Sequence, residues 1–302
     1  MRKKSLNRKA NNLIGEVSVY TMFAPYAILF LLFTIIPVAA SIVLSFTSFD
    51  MISAPKFAGL SNYFTMFLDD KIFPIVVKNT LLFAIITGPI GFILSFVLAW
   101  FINEFNPIVR TVLSFLFYAP SLVGNGLFIW QVLFSGDSYG YLNSFLLSTG
   151  FITEPIVWLS DSNYIMKIVI LVQLWQSMGV SFLANIAGLQ NVNLELYEAG
   201  AIDGIRNRWQ ELWYITLPTM ANMLLFSAVM QIQSSFSVSS ITTALAGYPS
   251  VEYSADTVVS YLTDVGTTYY EMGYASAISV VLFFMMIITR QITVTALGKV
   301  GK

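Results

Sequence analysis

The residues that could do chemistry in this chain fall in two places. The first is a charged stretch, Tyr197 to Pro218, which contains Glu198 and the dipeptide Asp203-Gly204. The second is a stripe of amides and hydroxyls at helical spacing: Gln231, Ser234, Ser235 and Ser239. Neither place holds a nucleophile with a partner base. The chain has no histidine and no cysteine, which excludes thiol and imidazole catalysis, disulfides and Cys or His metal sites. The chemistry we expect is therefore recognition rather than catalysis.

The composition indicates that these residues are held by a membrane protein. Of 302 residues, 57% are hydrophobic and only 10% are charged, and the mean hydropathy is +0.75. Soluble domains carry roughly 25% charged residues. A chain this poor in charge cannot cover a water-exposed surface.

Six windows without charge predict six membrane-spanning helices. Each window is near or above the roughly 20 residues that cross about 30 Å of hydrocarbon as a helix. The alternating pattern of a membrane β-barrel is absent. We therefore expect an all-α integral membrane protein with spans at about 19–45, 79–102, 108–134, 165–189, 218–241 and 272–293.

The distribution of basic residues predicts the orientation. With six spans, 11 of the 15 Lys and Arg residues lie on the side of the N-terminus, which the positive-inside rule assigns to the cytoplasm. The first apolar stretch is longer than the roughly 7–15 residues of a cleavable signal, so we expect a retained anchor. Residues 1–18 then form a cytoplasmic tail and residues 19–302 a single transmembrane domain. Both termini and the segment 193–217 are predicted to be cytoplasmic.

The segment 193–217, called the elbow below, reads as two short helices. Asn193 is a cap residue for the first helix, which is expected to place Leu194, Tyr197, Ala201 and Ile205 on one side. The Asp203-Gly204 pair breaks the helix. The second helix is expected to present Trp209, Leu212, Trp213 and Thr216 on one face, and Pro218 to end it and start span five. The alternative is a loop that only rests on the lipid headgroups.

Several motifs resemble one family. Glu198-Ala199-Gly200, Ile202-Asp203-Gly204 and Ile215-Thr216-Leu217-Pro218 resemble the "EAA" loop of permeases from binding-protein-dependent ABC importers. Three further stretches resemble the sugar-importing branch, and the resemblance extends to about Phe284: Phe57–Phe67, Leu245–Pro249 and Gly273–Ala277. The chain departs from the pattern at Gly200 and Ile205, each an alanine in the family, and has one extra residue between Gly204 and Pro218.

The resemblance implies a type I ABC importer permease fold and a set of partners. A cytoplasmic ATPase dimer would bind ATP and Mg²⁺, so this chain would bind no cofactor and would not itself be an enzyme. Coupling to the ATPase is expected at Glu198, Ala199, Gly200, Asp203, Gly204 and Pro218. A second, related permease, most often a different chain, would complete the pore. An external solute-binding protein would contact Leu245, Gly247, Tyr248 and Pro249, and the loop 135–163. No nucleic-acid partner is expected, and the location implied is the bacterial cytoplasmic membrane.

The polar residues inside the spans indicate a neutral sugar. The family places its substrate cavity between spans three, four and five, which makes Asn125, Gln173, Ser177, Gln231, Ser234 and Ser235 the candidate pathway residues. No Lys or Arg lies mid-span, which disfavours an anionic substrate and favours a mono- or oligosaccharide. The same residues also serve as polar contacts between membrane helices. The alternatives are an ABC permease for another neutral solute, and a secondary carrier or channel. The chain has no G-x-x-x-x-G-K-[ST] phosphate loop of its own.

Overall fold

The computed structural model describes residues 20–122 and 126–297. In this part of the chain the elements are helices, apart from one short antiparallel hairpin of β1 (Thr47–Ser48) and β2 (Lys56–Phe57). The helices are α1 (Tyr20–Leu44), α2 (Ser61–Phe64), α3 (Phe73–Asn103), α4 (Pro107–Leu122), α5 (Leu127–Leu133), α6 (Tyr141–Ser148), α7 (Ile165–Gln176), α8 (Val180–Gln190), α9 (Leu194–Ile202), α10 (Arg208–Glu211), α11 (Ala221–Phe236), α12 (Ser240–Ala246), α13 (Val258–Thr267) and α14 (Met272–Leu297). The predicted tail 1–18, Asn125 and the C-terminal lysines lie outside the described residues.

The all-α membrane architecture is confirmed at this level. Within the described ranges, five helical segments are long and apolar enough to cross a membrane, and α4 with α5 makes a sixth if the bent pair is one span. The five are α1, α3, α7 with α8, α11 with α12, and α14. The most apolar part of α1 is 0% buried, so this helix touches the rest of the chain only along its edge, mainly against α14.

Three predicted spans are interrupted rather than single straight helices, although the limits of the third and fourth agree with the prediction to within one residue. Span 108–134 bends by 82° between α4 and α5. Pro120 lies in the last turn of α4, where it removes a backbone donor. Span 165–189 is interrupted at Ser177–Gly179, where Gly179 leaves the helical conformation (φ −103°, ψ −124°). Hydropathy alone does not reveal such breaks.

The fifth span also differs from its prediction of 218–241. Pro218 does not end a helix but lies within a short helical turn, Leu217–Thr219. The spanning helix starts at Ala221, after Met220 departs from helical geometry. A second interruption follows at Ser237–Ser239 before α12.

The centre of the bundle is the packing of α11 against α3 and α8. Phe83, Phe182 and Phe236 are among the largest side chains that are completely buried there. Small residues allow the close approach of α3 and α11. A Cβ on Gly91 of α3 would lie 2.2 Å from Nε2 of Gln231, a distance that real side chains do not adopt.

Asp70 fastens three elements on the predicted outer side. Its Oδ1 accepts the backbone N–H groups of Ile72 (2.7 Å) and Phe73 (3.0 Å) at the start of α3. Its Oδ2 accepts the hydroxyls of Tyr261 in α13 (2.6 Å) and Tyr274 in α14. Burial by itself would raise the pKa of Asp70, but these four hydrogen bonds outweigh it and lower that pKa.

We expect Asp70→Asn to destabilise the protein by about 1–3 kcal/mol at neutral pH, because an amide cannot accept four donors as well as a carboxylate. A lowered folded-state pKa contributes stability above the unfolded pKa of about 3.9, and this is lost as the pH falls through the folded value. The apparent Tm gap between wild type and variant should therefore close in acid. Asp69→Asn, on the exposed neighbour, is the control. An equal gap at every pH would contradict the account.

Candidate functional site

The elbow is confirmed as two helices joined at a glycine. Asn193 caps α9, since its Oδ1 accepts the N–H of Glu195 at 3.1 Å. The helix ends at Asp203, and Gly204 has φ +96°, a conformation that residues with a side chain rarely adopt. Asn207 caps α10 by accepting the N–H of Gln210 at 2.9 Å.

The inner face of the elbow is built around Gly200. A methyl group there would lie 2.7 Å from Cδ1 of Ile215 and 3.0 Å from Cδ1 of Ile205. The two departures from the family pattern therefore compensate each other: the larger Ile205 occupies the space beside the smaller Gly200. The hydroxyls of Tyr197 and Thr216 share a hydrogen bond of 2.9 Å, which joins α9 to the segment Leu212–Thr216.

The extra residue before Pro218 is absorbed by a wide helical turn. Leu212–Thr216 forms a π-helical turn, in which each hydrogen bond spans five residues rather than four. The turn therefore takes up the additional residue while helical geometry continues to Thr219.

The predicted faces of the elbow helices need correction. Leu212 and Thr216 are buried, but Trp209 and Trp213 are exposed. In α9, Tyr197 and Ile205 are half-buried, whereas Leu194 and Ala201 are exposed.

Two contacts join the elbow to the last turn of α3 and to the turn that follows it. Arg208 forms an ion pair with Glu104 of that turn and a second one, at 2.8 Å, with Glu211 of α10. The Trp100 ring lies against Trp209 with centroids 5.4 Å apart. Exposed ion pairs stabilise by only about 0–1 kcal/mol, so this junction positions the elbow more than it stabilises it.

The outer face of α9 leaves polar groups free. Glu198 is exposed and makes no hydrogen bond or ion pair with any described residue. Ala199, Asp203, Gly204 and Pro218 are exposed as well. Of the six predicted coupling residues, only Gly200 is buried.

A cavity of about 390 Å³ lies where the broken helices meet; we call it the membrane cavity. None of its described lining side chains is ionisable. Ser121 comes from α4, and α7, α8, α11, α12 and their breaks supply the rest: Gln173, Gln176, Ser177, Gly179, Val180, Ser181, Met230, Gln231, Gln233, Ser234, Ser237, Val238, Ser240 and Ile241.

The structure brings together four of the six predicted pathway residues. Gln173, Ser177, Gln231 and Ser234 line the membrane cavity, and Nε2 of Gln173 donates to Oγ of Ser234 at 3.1 Å. Ser235 instead faces α3: it is 0% exposed, accepts the hydroxyl of Thr87 at 3.0 Å and donates to the carbonyl of Gln231. Ser235 thus has the position of a contact between helices.

Sequence reasoning missed a second polar row on the cavity wall. Gln233, Ser237 and Ser240 are exposed and line the cavity. Their spacing of four and three residues is a helical repeat that the stripe containing Ser235 obscured. Gln176 of α7 also lines the cavity and is half-buried.

The predicted contact for a binding protein lies between α12 and α13. Leu245 is only 5% exposed, whereas Gly247 and Pro249 are exposed and Tyr248 is half-buried. The buried carboxyl of Asp256 accepts the N–H of Ser250 at 3.0 Å and holds this loop. Burial raises the pKa of Asp256.

Comparison with known proteins gives relatives along almost the whole chain. The "Probable ABC transporter permease protein YesP" of Bacillus subtilis (strain 168) is 33% identical over 291 residues, 94% of this chain and 90% of that protein. The "Arabinooligosaccharides transport system permease protein AraP" of the same organism is 30% identical over 285 residues, 94% and 89% of the two chains. No family model matches the chain.

A solved structure shares the fold. It is that of a bacterial alginate ABC transporter in complex with an alginate pentasaccharide-bound periplasmic protein. The matching chain has a TM-score of 0.75 and 22% sequence identity, and the match covers 97% of this chain and 99% of that one.

The different environments of Ser235 and Ser234 can be tested by measuring the stability of alanine variants. Ser235→Ala should lower the free energy of unfolding in detergent by about 0.6–1.7 kcal/mol, since polar contacts between membrane helices have that range. Ser234→Ala should cost less, because Ser234 is exposed to the cavity, where water can replace its hydrogen bond to the amide of Gln173. Thermal unfolding of the two variants in the same detergent makes the comparison. Equal destabilisation would show that both residues act as helix contacts.

Proposed function

Because the chain belongs to the permease subunits of sugar-importing ABC transporters, we propose that it forms half of the pathway of an ATP-driven importer for a neutral oligosaccharide. The membrane cavity would carry the sugar, and the elbow would receive the work of ATP hydrolysis. The observation that carries the proposal is the pairing of an uncharged, amide- and hydroxyl-lined cavity with an exposed carboxylate on a rigid elbow. The relatives of the chain confirm its resemblance to ABC importer permeases, which the sequence motifs indicated.

The lining of the cavity supports a neutral, hydroxyl-rich substrate. Glutamine amides and serine hydroxyls both donate and accept hydrogen bonds, as sugar hydroxyls do. A charged substrate would need a charged partner when it leaves bulk water, and the described lining provides none. The relative AraP is named for arabinooligosaccharides, and we extend only the class, a neutral oligosaccharide, to this chain. A permease for another neutral solute stays the alternative.

The exposed polar row supports a second permease. Gln233, Ser237 and Ser240 are exposed in a single chain, within the apolar helical segment Ala221–Ala246. Lipid tails cannot satisfy such groups, which costs several kcal/mol for each unpaired one. A related permease that covers this row would close the cavity and complete the pathway.

The positions of the ionisable residues support an ATPase partner as the source of energy for transport. Ionisable residues in the described spanning helices, such as Lys78, Arg110 and Lys167, lie within about two turns of a helix end, so no proton relay crosses the membrane. Together with the family, this argues against a secondary carrier or channel. The elbow, with free Glu198 and a glycine joint, would sit in a cleft of the ATPase, where Glu198 would pair with an Arg or Lys.

Two further expectations complete the proposal. An external binding protein would dock on the loop with Gly247, Tyr248 and Pro249, and the related alginate transporter is recorded with such a protein. The chain would lie in the bacterial cytoplasmic membrane with both termini inside. ATP and Mg²⁺ would be held by the ATPase.

We expect Glu198→Lys to leave the protein in the membrane but to reduce ATP-dependent sugar uptake by at least about tenfold, because the reversed charge repels the basic partner. ATP hydrolysis by the complex should no longer respond to sugar and binding protein. Asp69→Lys, an equal charge change at an exposed carboxylate outside both the elbow and the expected binding-protein contacts, is the control. Wild-type uptake by Glu198→Lys would refute the coupling role.

A further inference from the structure

A second cavity, of about 550 Å³, lies between the elbow and the turn that joins α3 to α4; we call it the elbow cavity. Leu194 and Tyr197 of α9 form one wall, and Trp100 and Arg110 form part of the opposite wall. Gln190, at the end of α8, is exposed at this cavity. The site is distinct from the membrane cavity, with which it shares no lining residue.

The charges in the elbow cavity are unequally paired. Two arginines and two glutamates line it, but both carboxylates converge on Arg208. Arg110 has a single side-chain partner among the described residues, the neutral amide oxygen of Asn103, at 2.9 Å from Nη1. A guanidinium offers five N–H donors in a planar fork, so most of the donors of Arg110 are left for a ligand.

We propose that the elbow cavity receives an acidic side chain of the ATPase subunit, whose carboxylate pairs with Arg110. This rests on the proposed function, since it takes the ATPase to dock on the elbow. A carboxylate matches the fork of Arg110 in a bidentate pair, which is shorter and stronger than a neutral hydrogen bond. Asn103 holds the guanidinium in place for that pair.

The position of the cavity favours the ATPase as the source of the anion. Glu198 immediately follows Tyr197, so the cavity and the free carboxylate lie on adjacent sides of the same helix. The partner would thus meet the carboxylate of Glu198 on one side of α9 and, in the cavity on the adjacent side, the guanidinium of Arg110 of α4. Two contacts of opposite sign fix a single docking orientation, which one ion pair does not.

A lipid headgroup fits the elbow cavity less well. A phospholipid needs an apolar track for its acyl chains beside the phosphate. Here seven of the twelve lining residues are charged or polar, and they outnumber the five apolar or aromatic ones: Trp100, Leu189, Val192, Leu194 and Tyr197. An anionic lipid is therefore the competing outcome of the test.

Cysteine footprinting tests occupancy directly, because the chain contains no cysteine. Gln190→Cys places a single thiol in the elbow cavity, and Ala199→Cys places one on the outer face of α9. The rate of maleimide labelling is measured for the permease pair alone, for the complete complex with its ATPase, and for the pair in nanodiscs with or without phosphatidylglycerol. We expect the ATPase to slow labelling of both variants by about tenfold or more, and phosphatidylglycerol to change neither rate.

The outcomes separate this inference from the proposed function. If the ATPase protects the thiol of Ala199→Cys but not that of Gln190→Cys, the inference is overturned and the proposed function stands. Protection of neither thiol overturns both. Protection of the Gln190→Cys thiol by phosphatidylglycerol without the ATPase makes the cavity a lipid site and overturns the inference.

Substitution of Arg110 then tests the ion pair itself. Arg110→Gln should weaken ATPase binding to the permease pair by about tenfold, the effect of losing one charge-assisted interaction, and Arg110→Lys should restore only part of it because an ammonium cannot form the bidentate pair. Arg290→Gln, at an exposed arginine of α14 outside the cavity, should bind as wild type. Unchanged affinity for a folded Arg110→Gln would overturn the pair.

Discussion

The close approach of α3 and α11 at Gly91 is the constraint on which the rest of the structure depends. With no side chain at Gly91, Gln231 lies against the backbone of α3, and Thr87 and Ser235 bond across the same contact. This contact commits one face of α11 to the core. The opposite face, with Gln233 and Ser237, is thereby exposed to the membrane cavity. One helix thus supplies both the central packing contact of the bundle and a polar wall of the membrane cavity.

The same helix, α11, is connected to the elbow through the wide turn Leu212–Thr216. The joint is short, because a single residue, Met220, departs from helical geometry between the turn that ends at Thr219 and the start of α11. The elbow is also held to α3 through Arg208 and Glu104 and through Trp100 and Trp209. A displacement of the elbow would therefore reach the two helices that cross at Gly91, and with them the wall of the cavity.

Much of this organisation follows from the sequence, because long apolar windows, cap residues and the Asp203-Gly204 break act through local physics. Asn193 and Gly204 have the roles that their residue types predict. The breaks at Ser177–Gly179 and Ser237–Ser239 were not predictable, since hydropathy is blind to backbone geometry. The different surroundings of Ser234 and Ser235 were not predictable either. Adjacent residues on a helix point about 100° apart, and only tertiary packing decides which of the two contacts α3. The exposure of Trp209 and Trp213 was not predictable either, because tertiary packing decides which side of this segment is buried.

The central claim is that the elbow moves as one body with the turn between α3 and α4. Spin labels on Ala199→Cys and Phe105→Cys, the second in that turn, measure it directly by electron paramagnetic resonance on the complex. We expect this distance to be the same in nucleotide-free and ATP-bound states of the proposed complex, while the distance from Ala199 to the elbow of the proposed second permease changes. A nucleotide-dependent change in the Ala199–Phe105 distance comparable to that between the two elbows would contradict it.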